Sequence, residues 1–368
     1  VHASAGAPSL DFSTFAEKGF GKDAMNIITA SFDALGNQKT GLLAVGNAMK
    51  ILDKTGGVGF LVAAINNLAI MAVAMIGNFG IFAGKGFAEE AMAVIELAAA
   101  TVTNLLQVDV VTEMLKKGGA SVNVIIAALA SLMTIATTMA ENTDKFGIGE
   151  FKETALKIMS AALGTLSALG TSENINKILD SAKAGGDVKK GEAVIAAAAA
   201  YIALLAAALL KNKSIDAVAM LKNSNCLDAV KAMIEAGVSF NDGTSKARIV
   251  AAASVIFEGA INNMEFFDRA KIEAFAATFK EILKSYMLSS GGDSAAADKG
   301  ADAFLSALFG TNTDMLKNGL KEMNKVLAPL LKTTAELDAM IGHANYAVAV
   351  AYALDGGNII IRASITVQ

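Results

Sequence analysis

Val58-Gly59-Phe60-Leu61-Val62-Ala63-Ala64-Ile65 lies in a run, residues 55–84, that carries no charged residue. Two more such runs follow, residues 118–140 and 193–210, the last built almost wholly of Ala, Leu and Ile. Runs of this length predict helices that are apolar around their whole circumference, and such helices must be covered by lipid or by other helices. The composition favours other helices. The chain has no Trp and only four Tyr, so the aromatic belts of a membrane interface are missing. Asn66 and Asn67 interrupt the first run, and Gly, Ser and Thr interrupt the second. Lys54 and Lys85 flank the first run while Glu141 and Asp144 follow the second, with no one-sided positive charge. The expectation is three helices buried within protein, with membrane insertion as the alternative.

The surroundings of these runs recur. Ile51-Leu52-Asp53-Lys54-Thr55-Gly56-Gly57 precedes the first, Met114-Leu115-Lys116-Lys117-Gly118-Gly119 the second, and an amphipathic segment ending in Ala184-Gly185-Gly186 the third. Ala232-Met233-Ile234-Glu235-Ala236-Gly237 precedes a fourth apolar helix at residues 247–260. Gly57, Gly119, Gly186 and Gly237 are expected to close short helices in the left-handed conformation. Asn78, Asn142, Asn212 and Asn263 are expected to end the apolar ones. A further amphipathic helix fits between units, opened by Phe87-Ala88-Glu89-Glu90 and by Phe151-Lys152-Glu153. Phe15-Ala16-Glu17 forms an earlier copy, and Thr14 with Glu17 matches a capping box. Acidic residues early in a helix suit its macrodipole. The unit is thus an amphipathic helix, a short helix closed by Gly and an apolar helix closed by Asn, repeating every 50–70 residues or so.

This arrangement resembles armadillo and HEAT-type helical repeats over about residues 15–290. The resemblance implies stacked helices that present a long surface to partner proteins. The period departs from the roughly 40–47 residues of those families, and an irregular superhelical bundle is the alternative.

Residues 291–300, rich in Gly, Ser, Ala and Asp, read as a loop, followed by helices at 301–309 and 313–331. Thr333 and Glu336 make a capping box for a helix at 335–341. The chain then changes character. Asp355-Gly356-Gly357-Asn358 separates an alternating segment from one rich in β-branched residues, which predicts a β-hairpin. An isolated hairpin is barely stable, so this one is expected to pack on the helices or to pair with the edge of another chain. The fold expected is all-α, a helical repeat array or superhelical bundle with a C-terminal β-hairpin. Its divisions are a leader at 1–10, a repeat-like domain at 11–290, C-terminal helices at 291–345 and the hairpin at 346–368. The small-residue leader suits the mature end of a targeted precursor, for secretion or for an organelle such as a plastid, although an arbitrary boundary explains a start on Val1 equally well.

Catalytic machinery is hard to find. The two histidines, His2 and His343, fall in the leader and at the junction before the hairpin, and no His-x-x-x-His or Glu-x-x-His pair exists. Cys226 is the single cysteine, which excludes an intramolecular disulfide and reads as a small buried apolar residue near a helix start. Glu89 and Glu90 are adjacent and cannot share a helix face. Residues 80–86 superficially suggest a phosphate loop but lack the Gly-Lys-Ser/Thr ending and read as a helix connection, and Gly147-Ile148-Gly149 is a bare turn. With a net charge of −4, a pI of about 5.4 and only the doublets Lys116-Lys117 and Lys189-Lys190, a nucleic-acid partner is not expected.

No catalytic residue, metal site or cofactor is therefore expected. Met71, Met75, Met133 and Met139 read as core packing before they read as a ligand pocket. The leading functional expectation is a non-catalytic scaffold acting through protein partners or self-assembly, with the 346–368 hairpin as one contact. The alternatives are a carrier of an apolar ligand such as lipid or pigment, and a membrane-associated or pore-forming protein.

Overall fold

The computed structural model describes residues 22–54, 56–147, 149–212 and 216–262, with individual positions between 270 and 288. The leader, the Phe15 helix with its Thr14–Glu17 box, the 291–345 helices and the 346–368 hairpin lie outside the described residues. Every regular element among the described residues is helical, so the chain is all-α there.

The elements come in recurring order. α1 (Lys22–Gly36), α2 (Val45–Leu52) and α3 (Gly57–Gly77) are followed by the short α4 (Phe79–Gly84). α5 (Ala88–Leu105), α6 (Val108–Lys116) and α7 (Ser121–Glu141) repeat the pattern and end on a tight turn at Thr143–Phe146. α8 (Glu150–Leu169), α9 (Ser172–Ala184) and α10 (Val188–Lys211) repeat it again. α11 (Ala217–Asn223), α12 (Cys226–Gly237) and α13 (Gly243–Asn262) form a fourth, shortened set.

Helices in equivalent positions are neighbours. α3 packs on α7, α7 on α10 and α10 on α13, so the apolar helices form one continuous row. α5 lies against α3, α7 and α8, and α8 against α7 and α10, which makes a second row on one side. The short helices α6, α9 and α12 follow each other in a third. α10 is the most enclosed. Ala196 to Ala200 and Ile202 are all buried, and Tyr201 is fully covered. Alanine side chains at those positions let neighbouring helices approach closely while keeping strong helix propensity.

Side chains reach from one set to the next and satisfy helix ends that have no partner of their own. Thr101 on α5 donates its hydroxyl to the Gly36 carbonyl that ends α1, at 2.9 Å. Lys145 donates to the Gly77 carbonyl that ends α3, at 2.8 Å. Asn212, just past α10, donates its amide to the Ala140 carbonyl near the end of α7. Lys117 pairs with Asp53 and also reaches the Met49 carbonyl at 3.4 Å, linking α6 to α2. In the fourth set the polarity reverses. The buried Glu192 carboxylate on α10 accepts from the backbone N–H groups of Asn241 at 3.1 Å and Asp242 at 2.9 Å, which lead into α13. A carboxylate is favoured there by the helix dipole. Phe79 adds an aromatic joint, packing on Phe146 at 4.7 Å and on Phe151 at 5.5 Å.

The expected caps are met with two corrections. Gly119 and Gly186 are left-handed, at φ 61° and 91°. The first short helix turns on Gly56 (φ 79°), and Gly57 instead begins α3. Gly237 is the last residue of α12 without a positive φ, and its constraint is space, since a Cβ there would sit 2.8 Å from Ile249. Asn78, Asn142 and Asn212 follow directly on α3, α7 and α10 as expected. The fourth helix ends at Asn262, and Asn263 lies outside the described residues.

Backbones from two different sets meet closely between α6 and α9. A Cβ on Gly185 would stand 2.0 Å from the Leu115 carbonyl oxygen, and one on Gly118 would stand 2.7 Å from the Gly185 oxygen. By contrast, a Cβ on Gly164, inside α8, would meet nothing within 4 Å. Urea denaturation should therefore separate the two. Gly185→Ala is expected to lower stability by about 3 kcal/mol through backbone displacement. Gly164→Ala is expected to raise it by about 0.8 kcal/mol through helix propensity.

Candidate interaction site

A concavity lies between the third and fourth sets. It encloses about 660 Å³ between the end of α8, the start of α9 and the α11–α12 corner. Local sequence explains its shape. Gly170 ends α8, and a Cβ there would stand 2.5 Å from the Met233 methyl and 2.9 Å from the Ala229 Cβ, so glycine is what allows α12 to close the floor. Thr171 then caps α9, its hydroxyl accepting from the Asn174 N–H at 3.3 Å. The Asn174 amide donates back to the Ala168 carbonyl at 2.7 Å. Opposite, Asn225 takes the left-handed conformation (φ 52°) and turns α11 into α12.

The lining mixes small Gly and Ala surfaces with several polar groups and is nearly uncharged. Ser167, Thr171, Ser172 and Ser224 contribute hydroxyls, Asn223 and Asn225 amides, and Asp228 the one carboxylate. The Ser167 hydroxyl is buried without a hydrogen-bond partner among the described residues. Just beyond the rim, Lys177 pairs with Glu173 at 2.6 Å, which holds the Glu173 carboxyl below its ordinary range and lifts Lys177 above its own. No His, Lys, Arg or Cys lines the cleft. It therefore offers hydrogen bonds to a polar, neutral chain and no paired acid and base for proton transfer.

The residues singled out in the sequence are dispersed. Cys226 is the first residue of α12 and is buried, and burial pushes its thiol up to about 12. Glu89 and Glu90 stand in the first turn of α5. Residues 80–86 form most of α4 and the turn after it. Met75 and Met139 are fully buried, while Met71 and Met133 pack at the edge of the core. His2 and His343 lie outside the described residues. Among the described residues no cluster of His, Cys, Asp or Glu could hold a metal ion.

An apolar cavity beside Cys226, lined by Ala206, Leu210, Leu221 and Ile256 among others, holds about 20 Å³. That is room for a water molecule and far too little for an acyl chain or a pigment. α3, α7 and α10 are long and apolar enough to cross a membrane by length and composition, yet 61%, 61% and 72% of their apolar windows are covered by the protein itself.

Sequence reasoning missed Glu192, which lies on α10 one residue before its uncharged run. It also missed the cleft, because serines and asparagines at helix ends look like ordinary caps until two ends are brought together. Comparison with family models, with curated proteins and with solved structures gave no match.

Two outcomes follow from buried groups. Replacing Glu192 by Ala leaves two backbone N–H groups without their acceptor, and stability in urea should fall by about 2–3 kcal/mol. Glu192→Gln should recover part of that loss. Cys226 should resist a disulfide reagent at pH 8 in the native protein and react fully once unfolded. Its folded value lies above the ordinary value of 9.0. Folding stability should therefore be unaffected by this thiol below about pH 9 and should decline as pH rises from there toward about 12.

Proposed function

We propose that this protein is a non-catalytic scaffold, a stack of helical units that works through protein–protein contacts, as a subunit of a larger assembly. The observation that carries this reading is the row-on-row packing of equivalent helices, tied by side chains that reach 64 to 72 residues along the chain. Such a stack holds a long surface rigid without a deep active-site pocket. We read it as an armadillo- or HEAT-like array with enlarged units, and the 346–368 hairpin as a strand available for pairing with a partner.

The cleft between the third and fourth sets is the contact point favoured on that surface. Its hydroxyls and amides suit the main chain of an extended partner segment, and its Gly and Ala floor leaves the room.

A membrane-associated role is the second reading, favoured by the exposure of Phe60 and Ile70 on the uncharged α3. The 20 Å³ cavity gives an apolar-ligand carrier no comparable support.

Size-exclusion chromatography with light scattering, on detergent-free extract from the source, tests the scaffold. A soluble complex well above the 37.7 kDa chain mass is expected. Ala168→Arg, which fills the exposed rim of the cleft, should weaken partner retention by about tenfold or more while leaving the unfolding midpoint unchanged. A monomer that retains no partner would contradict the proposal, and recovery only in detergent would favour the membrane reading.

A further inference from the structure

The apolar helices run parallel, which gives the stack two unlike edges. At their ends, Lys145 just past α7 donates to the Gly77 carbonyl of α3, and Asn212 just past α10 donates to the Ala140 carbonyl of α7. At their starts, Lys117 before α7 pairs with Asp53 before α3, and a Cβ on Gly118 would stand 2.7 Å from the oxygen of Gly185, which precedes α10. One edge therefore collects the starts of α3, α7 and α10. The other collects their ends, together with the first turns of α5 and α8.

The two edges differ in charge. At the starts, Lys117 and Lys116 take up Asp53 and Glu113. Lys50, Lys54, Lys183, Lys189 and Lys190 then stand against Asp180 and Asp187, all at least partly exposed, while the buried Glu192 carboxylate is held by backbone N–H groups. At the ends of α3 and α7 the balance reverses, with Glu89, Glu90, Glu141, Asp144, Glu150 and Glu153 against Lys85, Lys145 and Lys152. The other joints favour neither sign. Lys211 and Asp216 offset each other after α10, and Lys231 and Lys246 match Glu235 and Asp242 before and within α13.

Three of these charges oppose the helices that carry them. Lys189 and Lys190 stand in the first turn of α10, where the macrodipole favours acids, and Glu141 ends α7, where it favours cations. Local rules are broken in this way where function requires it.

We propose that the lysine edge of one chain docks on the acidic edge of a second copy, so that chains join side by side into open rows. The inference rests on the scaffold reading and names the partner. Both edges are built by the same repeat, with neighbouring helices about 8–10 Å apart, so basic and acidic groups recur at matching intervals. The two edges are different surfaces, so the contact is head-to-tail and does not close on itself as a two-fold dimer does. A polyanion is the weaker partner, because the chain as a whole carries a net charge of −4.

Sedimentation velocity of full-length protein over a concentration series provides the test. It is run at about 10 mM salt, where charges act over about 30 Å, and at about 1 M, where they act over about 3 Å. Wild-type protein should form dimers and longer species at low salt and revert to monomer at high salt. Lys189→Glu with Lys190→Glu should weaken association by about tenfold or more, and so should Glu141→Lys with Asp144→Lys. Neither pair should lower the unfolding midpoint, since each removes charge that opposes a helix dipole. Mixing the two variants should restore association, because the unaltered acidic edge of the first meets the unaltered lysine edge of the second. Purified wild-type protein that stays monomeric at low salt would overturn the proposal, and a complex in source extract would then leave the scaffold reading standing. Association that survives either reversal, or a mixture that stays monomeric, would overturn it as well. Association seen only on adding phosphatidylglycerol vesicles would overturn it in favour of a lipid surface.

Discussion

A helix such as α10, with no charge from Ala193 to Leu210, cannot stand in water unless other helices cover it on every side. Everything else in the described chain answers that requirement. α7 and α13 close two sides, and α8, α9 and α12 close the others. Full burial of each large apolar side chain is worth about 1.5–3 kcal/mol, and α10 alone buries Val194, Ile195, Ile202, Leu205 and Leu209. The same demand passes along the row, because α7 and α3 are themselves uncharged over most of their length.

Burial fixes which helices touch, but it is non-directional and does not fix their register. Polar contacts at the helix ends do that. Carbonyls at the ends of α1 and α3 and near the end of α7 are met by Thr101, Lys145 and Asn212, each from the next set. A slide of one helix by a turn would break such a bond and leave a backbone group unsatisfied. Glu192 performs the same service at the start of α13 with the opposite charge. The glycines act at a third level. Gly118 and Gly185 let two backbones meet where any side chain would separate α6 from α9. A concavity lies at one joint between sets, where the α8–α9 and α11–α12 corners meet.

Much of this was legible in the sequence, for identifiable reasons. Uncharged runs, Gly closures and Asn stops are local signals, and they located α3, α7, α10 and their short partners within a few residues. The order of elements within a set could be read because each type has its own composition. What local signals do not carry is long-range pairing. Nothing near Lys145 announces that it will cap Gly77, and nothing near Gly185 announces the backbone of Leu115 beside it. The cleft was invisible for the same reason, since Ser167, Thr171 and Asn225 each have an ordinary local explanation. The shortening of the fourth set was also hidden, because no local signal marks α11, which takes up only Ala217–Asn223.

The central claim is that the apolar helices are covered by protein and not by lipid. Hydrogen exchange followed by mass spectrometry, on full-length protein in detergent-free buffer, tests it most directly. The account predicts the slowest exchange in the chain along α10, with α7 close behind and α3 faster at its open face. Rapid exchange throughout α3, α7 and α10, slowed only when vesicles or micelles are supplied, would contradict it.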